Sequence, residues 1–326
     1  MHVKYNIERC EKVLKKMPIK NGNRILCAAT AVMVAVQFLL VLIGIYDTLI
    51  LLVASHGAVI LIILFGIWLS DVDMKETFRF EPISFKTFVL AFFTIVCCFP
   101  IVSLLNILSM FFVENAVAGT ATEMYSYGLW ISMLVMAVMP SISEELLIRG
   151  VIYHSYREKS PVMAWVSSAL IFGLLHMNFN QMPYAVFLGI MMVLMMEASG
   201  SIVTSMCMHF FVNGISTWSG YMSQMTMDAA QADVTLESIV GTGDVMQTTL
   251  VMMGILCLIM IPLLCLLVIG TCRENKRKLS IAFAKPEPEY DRYALPEVQD
   301  GEKVWDVWLI LALLIMVVIT ALNTFA

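Results

Sequence analysis

The stretch SEELLIRG (143–150) sets two adjacent glutamates and an arginine inside an otherwise apolar run. Two later stretches carry the other unusual residues: FGLLH (172–176) ends in a histidine, and HFFVN (209–213) joins a histidine to an asparagine. A carboxylate and an imidazole together can move a proton near neutral pH. Two imidazoles and a carboxylate can also ligate zinc, and a histidine and an asparagine can simply hydrogen-bond between helices. The residues that decide among these chemistries are Glu144, Glu145, Arg149, His176, His209 and Asn213.

Spacing separates them. Glu145 and Arg149 are four apart with the acid N-terminal, the favourable orientation for an ion pair on one helix face. Such a pair neutralises both charges and locks the helix. Glu144 is rotated away from that face, which leaves it free for chemistry. His209 and Asn213 are also four apart and project together. Phe172 precedes His176 by one turn, where its ring can fix the imidazole. Ser141-Ile-Ser-Glu144 after Pro140 also fits a capping box, in which Glu144 only satisfies backbone N–H groups at a helix start. His56 falls inside an apolar run with no polar companion at helical spacing.

The elements that must hold these residues are membrane helices. The 326 residues are 60% hydrophobic and 14% charged, with mean hydropathy +0.85, which is outside the range of soluble globular chains. Apolar runs long enough to cross a bilayer occur at 25–45, 48–69, 86–112, 127–157, 161–177, 182–197, 201–219, 247–271 and 305–324. The expected fold is therefore all-α, a polytopic transmembrane bundle of about nine spans. Titratable groups at membrane depth usually face the bundle interior and have a task. At 1.5 Å per residue, Glu144 lies about 20 Å from Arg157, His176 roughly 24 Å from Ser160, and His209 and Asn213 about 14 and 20 Å from Gly200. All four come out near mid-bilayer, on three different helices.

The basic residues fix the sidedness. Of 20 Lys and Arg, seven lie in 1–24, three in 70–86, two in 157–160, seven in 272–304, and the last is Arg149. The alternate connections 46–47, 113–126, 178–181 and 220–246 contain none. Positive charge stays in the cytoplasm, so the N-terminus is expected there and the C-terminus outside. The net charge of −5 conceals this asymmetry, and it gives no reason to expect nucleic acid as a partner. The bilayer is the expected surrounding, with an anionic inner leaflet beside the basic face. The eight cysteines avoid the external loops, so a disulfide framework is not expected. The first 24 residues are charged and the first apolar run is a full span, unlike a cleavable signal peptide.

These features divide the chain into a tail over 1–24, N-terminal helices over 25–126, a core over 127–219, an external loop over 220–246, and C-terminal helices over 247–326 that enclose a Pro- and charge-rich linker, 272–304. The tail, with Ile7, Val13 and Leu14 among lysines, reads as an amphipathic surface helix. Gly173, Gly189 and Gly214 within spans are expected to allow close helix approach.

EELLIRG (144–150), FGLLH (172–176) and HFFVN (209–213) match the patterns EExxxR, FxxxH and HxxxN. In that order they resemble the CPBP family of intramembrane glutamic endopeptidases, which includes CAAX-processing proteases and bacteriocin-immunity (Abi) proteins. The resemblance covers roughly 127–219. It implies that Glu144 and His176 activate a water for attack on a scissile carbonyl, that His209 and Asn213 stabilise the oxyanion, and that neither metal nor other cofactor takes part. It implies a peptide or membrane-protein substrate, a multi-pass location in a cell membrane such as the bacterial plasma membrane, and a cavity opening to the cytoplasm or sideways into the bilayer. Two alternatives stand beside it: a zinc-dependent protease held by Glu144, His176 and His209, and a non-catalytic immunity or scaffold protein that uses the same cluster to bind a partner.

Overall fold

The computed structural model describes residues 17–115, 117–157, 159–226, 241–283 and 303–325. Its long helices are α1 (Ile19–Leu42), α2 (Thr48–Ser70), α4 (Phe85–Met110), α6 (Leu129–Arg157), α7 (Pro161–Leu175), α8 (Met182–Ser199), α9 (Ile202–Thr226), α10 (Gly243–Glu274) and α11 (Val307–Phe325). Two short helices, α3 (Met74–Phe78) and α5 (Val117–Tyr125), lie in connections. The architecture is a helical membrane bundle, with no strand among the described residues.

Each long helix coincides with one of the apolar runs, but they do not all qualify as full spans. Seven are long and apolar enough to cross a bilayer. Helix α7 has 15 residues, about 22 Å at 1.5 Å per residue, against a hydrocarbon core of about 30 Å. It begins at Ser160, whose hydroxyl accepts from the Met163 N–H, and ends at Leu175. The connection after it meets the last turns of α4 and α11, through Ser109 and Asn323. Helix α9 is long, but its polar residues lower its hydropathy. Helix α1 begins at Ile19, inside the stretch read as tail, with Ile19, Gly22 and Asn23 buried. The amphipathic reading of Ile7, Val13 and Leu14 falls outside the described residues, as does much of 220–246 and 272–304.

The bundle has two chemically distinct ends. At one end, Asn21 bonds Ser70, Asn23 bonds the Val304 carbonyl, Lys86 pairs with Glu274, and Ser201 bonds the Glu81 carbonyl. These contacts gather the basic connections onto one face. At the other end Thr48 bonds Glu123, Ser109 bonds the Asn180 carbonyl, and Asn323 bonds the Met177 carbonyl. Asp47 caps α2 through the Ile50 N–H and accepts from the Tyr127 hydroxyl; the Tyr127 bond first, then the Ile50 N–H, holds its carboxyl below the usual carboxylate range. Exposed aromatic rings ring both ends, Trp68 and Trp305 at the basic end and Tyr46, Trp130 and Trp218 at the other, as expected where side chains meet a membrane–water interface.

The buried core sits between α6, α7, α8 and α9. Gly189 lets α8 approach α7 closely: a Cβ there would lie 3.0 Å from the Ala169 Cα. Gly173 does the same from the α7 side, with Val186 Cγ2 at 2.5 Å from an added Cβ. At Gly214 the nearest atom would be Met133 Cε at 3.3 Å, the far end of a flexible side chain.

Candidate active site

Helix α6 carries the glutamates, and its winding is unusual. Residues Leu134–Val138 and Leu146–Tyr153 are π-helical, flanking an α-helical segment Met139–Glu145. Such insertions are frequent at functional sites. Pro140 lies in the middle of the helix, not at its start. The helix therefore runs through Ser141–Glu144, and Ser141 gives its hydroxyl proton to the Val138 carbonyl. The capping-box reading of Glu144 fails for that reason.

Pro140 has no N–H to give the carbonyl of Met136, four residues earlier. Asn213 of α9 supplies the missing donor, its Nδ2 standing 3.1 Å from the Met136 oxygen. One N–H of the carboxamide is thereby fixed on α6, and the side chain also lines the cavity described below.

Glu145 and Arg149 are both fully buried and pair at 2.8 Å. The same Glu145 oxygen meets His209 Nδ1 at 2.9 Å. A carboxylate only accepts hydrogen bonds, so His209 carries its proton on Nδ1 when neutral. Arg149 further donates to the Gly189 carbonyl at 3.2 Å and lies over the Phe172 ring at 4.3 Å. The Phe172 ring meets His176 edge-on at 5.0 Å and His209 at 5.5 Å. One aromatic side chain thus touches the arginine and both imidazoles, beyond the contact to His176 that spacing anticipates.

His176 sits where α7 ends. Its Nδ1 is 2.8 Å from the Phe172 carbonyl, an acceptor, so Nδ1 carries the hydrogen and Nε2 is left with a lone pair in the neutral ring. The following residue, Met177, takes φ +48° and turns the chain away.

Glu144, His176, His209, Asn213 and Phe172 line one cavity of about 800 Å³, within the range of small-ligand sites. Glu144 Oε2 is buried without a hydrogen-bond partner among the described residues. A buried carboxylate oxygen in that condition calls for a functional explanation. Four residues drawn from α6, α7 and α9 therefore meet around one space. Among the described residues no three His, Cys, Asp or Glu side chains assemble with metal-ligand spacing, so the zinc alternative gains no geometric support.

The structure adds residues that spacing did not reveal. His56 of α2 also lines the cavity, with Nδ1 2.8 Å from the Ser143 hydroxyl. Ser143 gives its own proton to the Met139 carbonyl at 3.0 Å, so His56 must donate, leaving its Nε2 as an acceptor. Its partner lies on another helix, which no local spacing could show. Glu197, at the end of α8, is the second omission. It accepts from Arg79 at 2.9 Å, Arg157 at 2.8 Å and Tyr153 at 3.0 Å, while Arg277 donates to its carbonyl at 2.7 Å. Arg79, Arg157 and Glu197 are all buried, and together they staple α6, α8 and the ends of α3 and α10. The only sequence signal was a lone acid closing an apolar run.

The cavity extends towards one end of the bundle. Its lining runs from the middle of the helices to Asn115, Thr120 and Tyr125 on one connection and Asn178 and Gln181 on another, with Asn323 near the end of α11. It includes no residue of the basic connections.

Residues 126–215 match the family model for Rce1-like proteins, type II CAAX prenyl endopeptidase Rce1-like. No curated protein and no solved structure matches the chain. The matched segment begins just before α6 and ends within α9, so it contains every side chain of the polar cluster except His56. It supports an intramembrane endopeptidase activity in general terms. Over residues 126–215 the chain is similar to the Rce1-like CAAX proteases of the CPBP family, within a larger helical membrane protein.

Proposed function

We propose that the protein is an intramembrane endopeptidase in which Glu144 and His176 activate a water and His209 and Asn213 stabilise the oxyanion. The observation that carries this reading is the convergence of all four on one cavity, with Glu144 Oε2 buried and in no hydrogen bond among the described residues. The water gives a proton to the Glu144 carboxylate as its oxygen bonds to the scissile carbonyl carbon. His176 Nε2 accepts a hydrogen bond from the water or from the protonated Glu144 and orients it. The oxyanion draws on the second N–H of Asn213 and, when His209 is protonated, on its Nε2–H. The proton held by Glu144 then passes to the leaving nitrogen, the C–N bond breaks, and a carboxylic acid and an amine remain.

The surrounding residues support these roles. The Nδ1–H of His209 is anchored on Glu145, which fixes the orientation of the ring towards the cavity. The Nδ1–H of His176 is anchored on the Phe172 carbonyl, which leaves Nε2 available as a base. Donors fixed in advance in a site shielded from water need no reorganisation as charge develops. Neither step requires a metal.

New N-termini in the membrane proteome provide the test. Cells carrying wild-type protein should contain neo-N-termini that disappear in Glu144→Gln and His176→Ala cells with equal protein in the membrane. Identical sets of termini in wild type and Glu144→Gln would overturn the hydrolytic reading and favour a non-catalytic immunity or scaffold role.

A further inference from the structure

We infer that the cavity takes its substrate from the membrane face opposite the cytoplasm, and that this substrate is an internal stretch of polypeptide, not a cytosolic C-terminal tail. The inference rests on the proposed hydrolase reading for the word substrate, but its first half stands on geometry and charge alone.

Hydrogen bonds and ion pairs gather the connections 70–86, 157–160, 197–201 and the described part of 272–283 at one end of the bundle. All of these except 197–201 carry lysines and arginines, so that end faces the cytoplasm. The cavity reaches the other end, through Thr120, Tyr125, Asn178 and Gln181. The connection after α7 is tied to the ends of α4 and α11 through Ser109 and Asn323, and its Asn178 and Gln181 bound the cavity there.

Between the site and the basic end, below Phe172 and Met192, the Arg149–Glu145 pair is fully buried. Beyond it, Glu197 is closed in by Arg79, Arg157 and Tyr153. Opening a route from the cytoplasm would mean breaking hydrogen-bonded buried charges, each break costing roughly 3–5 kcal/mol. Among the described residues that line the cavity towards the other end there is no lysine or arginine to form such a barrier.

The lining contains no lysine or arginine, but six carboxamides: Asn106, Asn115, Asn178, Gln181, Asn213 and Asn323. A free C-terminal carboxylate entering this space finds no fixed cation to pair with. Carboxamides both donate and accept, which suits the N–H and C=O groups of an extended internal segment.

Cysteine labelling tests the face of entry without needing activity. Thr120→Cys and Gln181→Cys line the mouth, and Ser280→Cys lies at the basic end. Each full-length variant in sealed right-side-out membranes is treated with a charged, membrane-impermeant maleimide, with the wild-type chain as baseline. Labelling at 120 and 181 before permeabilisation, and at 280 only afterwards, is the expected result. The reverse pattern, or no labelling at 120 and 181 in any condition, overturns the proposed face of entry. The Glu144-dependent neo-N-termini then test the substrate class: they should fall within extracytoplasmic segments or the outer half of spans. Clustering in cytosolic C-terminal tails would overturn that half. If labelling follows the expected pattern but no terminus depends on Glu144, the hydrolase reading fails while the outward opening stands.

Discussion

Glu145 and His209, 64 positions apart, are joined by a 2.9 Å hydrogen bond between Oε1 and Nδ1. The acid that spacing assigns to Arg149 alone therefore also sets the tautomer of an imidazole on a different helix. Arg149 completes the arrangement through Glu145, the Gly189 carbonyl and the face of Phe172. A lysine cannot reproduce the planar fork or the stacking. Arg149→Lys is expected to keep its charge and its membrane insertion yet lose most of the cleavage activity, about 10²-fold, as displaced catalytic groups do. Activity within a few-fold of wild type, measured as neo-N-terminus yield per molecule, would show that the guanidinium contacts do not position the site.

Pro140 and Asn213 offer a separable test of structure and chemistry. Asn213→Ala leaves the Met136 carbonyl without its donor, expected to cost about 1–3 kcal/mol for a buried acceptor. Pro140→Ala restores an N–H four residues after Met136 and should remove much of that cost in the double variant. Thermal unfolding in detergent measures the cycle. Cleavage should stay low in both Asn213 variants, because the second N–H of the carboxamide is gone in each. Recovery of activity along with stability would reduce Asn213 to a purely structural role.

The anchored nitrogens of His176 and His56 determine where their protons sit. Selective ¹⁵N labelling of the five histidines should show both as Nδ1–H tautomers with unprotonated Nε2 at neutral pH. Ser143→Ala removes the acceptor from His56 and should change its signal while leaving that of His176 in place. An Nε2–H form of His176 would contradict its role as a proton acceptor.

Much of the site could be read from the sequence. Adjacent glutamates with an arginine four residues on, and histidines at matched depth, are local patterns, and depth follows from helical rise once the spans are known. The alternation of basic and non-basic connections likewise anticipates the two ends of the bundle. Other features depend on neighbours that no local pattern encodes. His56 looks isolated because Ser143 is 87 positions away, and Glu197 looks like a helix-end residue because Arg79 is 118 positions away. The π-helical winding around Met139–Glu145 is invisible to a count that assumes regular α-helix. The expected opening, towards the cytoplasm or sideways into the bilayer, came from resemblance alone, while the lining itself reaches the end of the bundle away from the basic connections. Nine apolar runs did find nine helices, but α7 is too short to span and α9 too polar to count by hydropathy.

Glu197 and Glu144 should behave oppositely on substitution. Glu197→Gln weakens a buried ionic junction shared by four segments and is expected to destabilise the protein by roughly 3–5 kcal/mol, with lower accumulation in the membrane. Glu144→Gln should leave stability close to wild type, since Oε2 has no hydrogen-bond partner to lose among the described residues. Equal unfolding temperatures for Glu197→Gln and wild type would remove the staple from the account.

The central claim is that an uncommitted carboxylate in this cavity performs hydrolysis, and paired kinetics test it most directly. Wild type and Glu144→Gln, purified, reconstituted in lipid nanodiscs and matched for thermal stability, would be assayed on a peptide spanning a mapped cleavage site. Loss of a general base predicts a fall in turnover of about 10²–10⁴-fold with little change in KM. Turnover by Glu144→Gln within about threefold of wild type, far inside the range expected for a lost general base, would contradict the account.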